Sequence, residues 1–311
     1  MGRIFSSKCQ SQKRLDGQVA IVTGCNTGIG KYTALDLAKR GAHVVMACRS
    51  IERAEAAAKD ICSIVPKAEL EIMKLDLSSL ESVREFCKEF SSSHKTLHLL
   101  INNAGVLMNS HSVTVDGFET HFGTNHLGHF LLTMLLLPIL IQSGPSRIIN
   151  VSSLGHTYCD SLFFDDINME KNYDPWTAYG RSKLANILFT LELAKRLEGT
   201  EVKTVSLHPG VVYTEISRDL VTSKAFSFIW FVGLLQKFGS WFLKTPEQGA
   251  QTTLFCALDD SIQSGLYYDD CAVANPSETA KNSELARELW EKSKELVQLG
   301  DFDPFSELSL K

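Results

Sequence analysis

Apolar residues arrive in short, nearly unbroken runs at 18–23, 43–47, 69–75, 97–102, 147–152, 202–208 and 265–268. The runs are rich in Val, Ile and Leu and show little polar alternation, the signature of parallel strands covered on both faces. Helical patterns lie between them. The stretch 29–40 is closed by Gly41, a common helix stop. The stretch 52–62 is alanine-rich and ends before Pro66, and 79–90 opens on Ser79 and carries Ser82 and Glu85, as a capped amphipathic helix does. Strand–helix alternation through most of the chain predicts an α/β fold, a Rossmann-type doubly wound parallel sheet of about seven strands. The expected organisation is an N-terminal tail (1–16), one catalytic domain (17–280) and a C-terminal helix and tail (281–311).

Composition narrows the class. Of 311 residues, 44% are hydrophobic and 22% charged, the profile of a globular protein with a large core. A formal charge of −5 without a Lys/Arg-rich block argues against nucleic-acid binding. The eight cysteines are scattered with no CxxC pair, and no secretory signal precedes them, so they read as reduced thiols. The apolar runs 131–141, which contains Pro138, and 225–235 are shorter than the about 20 residues that a spanning helix needs. The first reads as a buried helix.

The first strand ends in Thr23-Gly24-Cys25-Asn26-Thr27-Gly28-Ile29-Gly30, and a helical pattern follows. Glycines at that junction permit a tight turn and let backbone N–H groups approach a pyrophosphate at a helix N-terminus. A phosphate-binding loop of the Walker type is excluded, because Cys25 and Tyr32 stand where it needs a glycine and a hydroxyl residue. The second strand ends in Cys48-Arg49-Ser50. The acid that would hold the ribose 2′-OH of NAD is missing there, and an arginine attracts a 2′-phosphate, so NADP(H) is the expected cofactor. A solvated surface arginine is the alternative.

Tyr179 and Lys183 stand four apart at the start of a helical stretch that continues through 184–197, which puts both side chains on one face. A free phenol ionises near pH 10 and is a poor base at neutral pH; a neighbouring ammonium lowers that value. His121, His126 and His129 cluster without a Cys, Glu or Asp to complete a metal set, so they read as packing or polar surface. Cys159 is a weak nucleophile candidate, with no histidine–acid pairing in view.

Thr23 to Gly30, Asn102-Asn103-Ala104-Gly105, Asn125, Ser153, Tyr179 with Lys183, and Pro209-Gly210 follow one another in an order that resembles the short-chain dehydrogenase/reductase family over nearly the whole chain. The resemblance implies that Tyr179 donates or accepts the proton and that Ser153 orients the substrate oxygen beside it. Lys183 would lower the tyrosine's pKa and hold the nicotinamide ribose, and Asn125 would hold a water that passes protons to Lys183. The cofactor would lie on Gly24, Asn26, Thr27, Gly28, Ile29, Gly30, Ala104, Gly105, Pro209 and Gly210. Asp76 and Leu77 would meet the adenine, Asn103 the adenine ribose, Thr214 the carboxamide and Arg49 the 2′-phosphate. No metal is needed.

Within that family, Cys48-Arg49, Asn125 to Phe130, Ser182 to Asn186, His208 to Val212 and Lys244 to Ala250 are similar to the NADP-dependent, microsomal-type retinol dehydrogenases. The implied reaction is hydride transfer between NADP(H) and a hydrophobic alcohol or carbonyl, with retinal and retinol favoured. A steroid or lipid-aldehyde carbonyl reductase is the first rival, and a silent NADP(H)-binding scaffold the second. The segment 226–243, with Trp230, Phe231 and Trp241, reads as an apolar substrate lid over 215–245 or as a helix that packs on the core. The start, Met1-Gly2 with Ser6, fits an N-myristoylation signal, with Cys9 available for palmitoylation and Lys8, Lys13 and Arg14 for anionic lipid. The expected address is the cytoplasmic side, soluble or peripherally attached to a membrane such as the endoplasmic reticulum; association into oligomers is possible.

Overall fold

A computed structural model describes residues 7–212 and 244–305. Eight strands form one sheet: β1 (Val19–Thr23), β2 (His43–Cys48), β3 (Glu69–Lys74), β4 (Leu99–Asn102), β5 (Ser146–Val151), β6 (Val202–His208), β7 (Tyr267–Asp269) and β8 (Ala272–Ala274). Their order is β3-β2-β1-β4-β5-β6-β7-β8. All neighbours are parallel except β7 and β8, which run antiparallel. The eighth strand escapes the apolar pattern because its residues are largely exposed and only three long.

The described helices are α1 (Gly28–Lys39), α2 (Ile51–Ile64), α3 (Leu80–Ser93), α4 (Gly128–Gln142), α5 (Pro175–Arg196), α6 (Pro246–Leu258) and α7 (Ser283–Leu296). Starts are written in the sequence: Ser50, Ser79, Asp174 and Thr245 each accept a backbone N–H of the first turn. Two apolar clusters lie on the two faces of the sheet. One gathers side chains of α3, α4, α5 and α7, the other those of α1, α2 and α6.

The leucine-rich run is longer than its sequence suggests. A π-helical turn, Phe122–Leu127, leads directly into α4, and the helix continues through Pro138. Together, Phe122–Gln142 is long and apolar enough to cross a membrane by length and composition, but 78% of its apolar window is buried inside the protein. Leu131, Leu132, Leu136, Leu137 and Leu140 are all fully buried, each worth about 1.5–3 kcal/mol of burial. Core packing therefore accounts for its hydrophobicity.

Residues 7–16 are also packed. Cys9 donates its N–H to Gln251 Oε1 at 3.1 Å, Arg40 donates to the carbonyls of Ser11 and Lys13, and Leu15 is buried. Cys9 itself is 8% exposed, so the thiol expected to be available for palmitoylation is enclosed by α6 and its neighbours. Gly2, Thr214, most of the 215–245 lid and its Trp230, Phe231 and Trp241 lie outside the described residues.

Candidate active site

The carboxyl ends of the parallel strands meet along one edge of the sheet. The order reverses between β1 and β4, where open α/β sheets have their ligand crevice. From β1 the chain enters the glycine turn. Gly24 and Gly28 hold φ of +64° and +57°, a region costly for any residue with a Cβ. A Cβ on Gly30 would stand 2.6 Å from both Asn103 Nδ2 and the Gly24 carbonyl, so this close approach requires glycine. Asn26, Thr27 and Ile29 are partly exposed along the turn. Thr27 precedes α1 without a side-chain cap, and no acid occupies the first turn. An uncapped helix start with free N–H groups and no opposing carboxylate suits a phosphate group.

Thr23 ties this turn to the loop after β4. Its hydroxyl accepts N–H bonds from Asn103 and Ala104, both at 2.9 Å, while Asn103 Nδ2 donates to the Thr23 carbonyl. His129 from α4 meets the same hydroxyl at 2.9 Å. Arg49, at the tip of β2, is exposed and has no hydrogen-bond or ion-pair partner among the described residues. Asp76 follows β3, but its carboxylate caps its own turn through Ser78. Leu77 is buried against the start of α4, where a Cβ on Gly128 would meet its carbonyl. Pro209 and Gly210 follow β6, with Gly210 at φ +90° beside Lys244.

Ser153 follows β5 and caps a short 3-10 turn, accepting the Gly155 N–H at 3.0 Å. His208 and His156 brace it: Leu154 N–H donates to His208 Nδ1, and His156 Nδ1 meets the Ser153 carbonyl at 2.7 Å. Tyr179 lies against this turn, and a Cβ on Gly155 would stand 2.9 Å from its ring. Lys183, one turn further along α5, is buried and donates to the Val151 carbonyl at 3.1 Å, with its Nζ 5.6 Å from the Tyr179 ring centre. Gly105 fits between Lys183 and Asn125; a Cβ there would be 3.4 Å from Lys183 Nζ and from Asn125 Oδ1. The four residues Asn125, Ser153, Tyr179 and Lys183 therefore share one crevice.

The protonation picture differs from the sequence expectation. Burial raises the Tyr179 phenol above its ordinary value, and a hydrogen bond with Ser153 only partly counters this. The Lys183 ammonium donates to the Val151 carbonyl and lies near the Tyr179 ring. Burial in turn brings Lys183 down to about 8. The side chain of Asn125 is already engaged, accepting from Val106 N–H and donating to the Val106 carbonyl and to Ser182 Oγ. It sits in the π-helical turn, an irregularity common at functional sites.

The histidine cluster proves to be neither metal set nor surface. His121, His126 and His129 are buried and point to separate partners: Glu119, Ser293 and Thr23. An acid does adjoin them, since Glu119 accepts from His121 Nδ1 at 2.7 Å, and fully buried Arg181 donates to its other oxygen at 3.1 Å. Burial pushes the Glu119 carboxyl up, but His121 and two backbone N–H groups hold it below its ordinary value. His121 then accepts the Met108 N–H, anchoring the loop after Gly105. Glu119, two residues before His121, was overlooked in the sequence, and its pairing with Arg181 has no local signal because the two stand far apart along the chain. Cys159 is buried, its thiol raised by burial and bonded to the Ser161 carbonyl, which leaves no activated nucleophile.

Comparison with known proteins agrees with this geometry. A family model described as short chain dehydrogenase matches residues 18–225. Mouse retinol dehydrogenase 11 is 49% identical over 298 residues, covering 95% of this chain and 91% of that protein. Human retinol dehydrogenase 12 is 47% identical, covering 93% and 89%. Among solved structures, an uncharacterised Mycobacterium paratuberculosis protein superposes with a TM-score of 0.76 at 32% identity, covering 94% and 98%. A Shigella flexneri short chain dehydrogenase complexed with NADP shares the fold at a TM-score of 0.64 and 22% identity, covering 84% and 100%. With the strand order, the glycine turn and the shared crevice, these matches make the chain an oxidoreductase that belongs to the short-chain dehydrogenase family.

Proposed function

We propose that this enzyme reduces retinal to retinol, or a closely related hydrophobic carbonyl, with NADPH as the preferred cofactor. The observation that carries the reading is the joint placement of Ser153, Tyr179 and Lys183 in one crevice beside the glycine turn, in a chain 43–49% identical to proteins named retinol dehydrogenase. Leu154 beside Ser153, Tyr158 against Gly180 and Val211 beside Gly210 are exposed, apolar surface near the catalytic residues that suits an apolar substrate.

The cofactor would lie along Gly24, Asn26, Thr27, Gly28, Ile29 and Gly30, past Asn103, Ala104 and Gly105, towards Pro209, Gly210 and Thr214, with Arg49 meeting the 2′-phosphate and Asp76 and Leu77 beside the adenine. When bound, it supplies the hydride that the protein lacks. Tyr179 donates its phenolic proton to the carbonyl oxygen as negative charge develops there. A phenol raised by burial is protonated at neutral pH, the form that the reduction needs. Ser153 donates a hydrogen bond to the same oxygen and fixes it against Tyr179. Lys183 would hold the nicotinamide ribose and return a proton to Tyr179, and Asn125 would hold a water that passes protons to Lys183.

We infer that peripheral attachment at the cytoplasmic side of a membrane would use Gly2 and Lys8, since Lys13 and Arg14 are ion-paired with Asp260 and Asp16. One acyl chain gives only marginal binding, and the enclosed Cys9 thiol supplies no second one in the folded chain. Incubating the purified protein with NADPH and all-trans-retinal, and identifying the product by chromatography, tests the substrate. Retinol formation outpacing that of steroid and short-aldehyde competitors supports the assignment; faster turnover of those competitors transfers it to a general carbonyl reductase.

A further inference from the structure

The opposite edge of the sheet, at the amino ends of the strands, carries a second grouping of chemistry-bearing side chains. His43 opens β2, Glu71 is the third residue of β3, and His94 follows α3. Three separate elements thus place their side chains together. Glu71 Oε2 lies 3.0 Å from His43 Nε2 and 3.1 Å from His94 Nε2, and the three donor atoms all fall within 4.8 Å of one another. The side chains are 31%, 34% and 15% exposed, reachable from solvent yet confined.

We propose that His43, Glu71 and His94 form a binding site for one divalent transition-metal ion of the zinc type. Two imidazoles and a carboxylate suit such an ion, with a water as fourth ligand. Ligands around a tetrahedral zinc stand about 3.3 Å apart, as bond lengths of about 2.0–2.2 Å require. Two of the present separations are already close to that value. Glu69 Oε2 lies 3.9 Å from His43 Nδ1, adding a second carboxylate whose charge favours a cation beside the ring. His94 stacks on Phe90 at 4.6 Å and 7°, which fixes its plane. The last turn of α3 contains no basic residue, and the negative end of the helix dipole favours a cation there. The ion would tie β2, β3 and α3 together at the end remote from the crevice, so its effect falls on stability rather than on the chemistry of Tyr179.

The test uses tag-free, full-length protein stripped with EDTA, titrated with Co2+ and then displaced with Zn2+. The site predicts one equivalent of Co2+ with a tetrahedral visible spectrum lacking thiolate bands, and a thermal midpoint that rises with added Zn2+. His43→Asn, His94→Asn and Glu71→Gln should each weaken binding by roughly tenfold or more, while cooperative unfolding in EDTA shows that the fold is kept. Wild-type affinity in those variants, a thiolate-to-metal band from the cysteines, or no binding at millimolar metal would overturn the proposal.

Discussion

Arg49 stands exposed at the tip of β2 with no carboxylate against it among the described residues, and the proposed preference for NADPH rests on this one residue. A hydrogen bond to a charged group is worth about 1.5–3 kcal/mol. Arg49→Ala should therefore raise the KM for NADPH roughly ten- to hundred-fold and leave that for NADH nearly unchanged; equal losses with both would remove Arg49 from the 2′-phosphate. Lys183 permits a sharper test. Its folded value of about 8 lies below the ordinary 10.5, so between these values the unfolded chain binds more protons and this residue's contribution to stability rises with pH. Activity should move the other way, falling above about pH 8 as the ammonium is lost. Rate and thermal midpoint measured from pH 7 to 10 check the opposed trends, and a rate that climbs throughout would contradict the role given to Lys183. That Tyr179, Lys183 and Ser153 come together was legible in sequence because their spacing and order are local or family-wide. The direction of the Tyr179 shift was not, because it depends on burial.

Local elements explain both what the sequence announces and what it hides. Strands β1, β2, β4, β5 and β6 were plain because they are largely buried on both faces and rich in apolar residues, while the edge strand β3 alternates polar and apolar residues and is only partly buried. The short exposed β8 and the π-helical turn carrying Asn125 have no such signature, since the turn's residues are set by contacts with Val106 and Ser182 across the chain. The buried Glu119–His121–Arg181 set likewise joins two distant segments. Removing one member of a buried ion pair strands the other, at about 3–5 kcal/mol. Glu119→Ala should thus lower the thermal midpoint strongly and loosen the loop at Met108, whereas a change within about 0.5 kcal/mol would mean that Arg181 finds another partner.

At the scale of the whole molecule, one sheet sets the glycine turn after β1 at the same edge as the carboxyl end of β5, which leads to Ser153, and strand–helix alternation along the whole chain predicted that architecture where no single motif could. The buried histidines bind the fold to a pH range. His126 is held at about 3, and His129 and His208 at about 4, chiefly by burial. Below the ordinary value of 6.5 the unfolded chain takes up protons that the folded chain refuses, so stability falls on acidification. The loss is about 1.4 kcal/mol per pH unit for each group until its folded value is reached. Denaturant titrations at pH 7, 6 and 5 should show that decline, and a flat profile would contradict the neutral buried imidazoles. The most direct test of the central claim follows NADPH oxidation with all-trans-retinal in the wild type and in Tyr179→Phe, with NADPH affinity measured alongside. The account predicts a rate lower by about 10²–10⁴-fold in the variant and an NADPH affinity close to that of the wild type; a variant that turns over at the wild-type rate would contradict it.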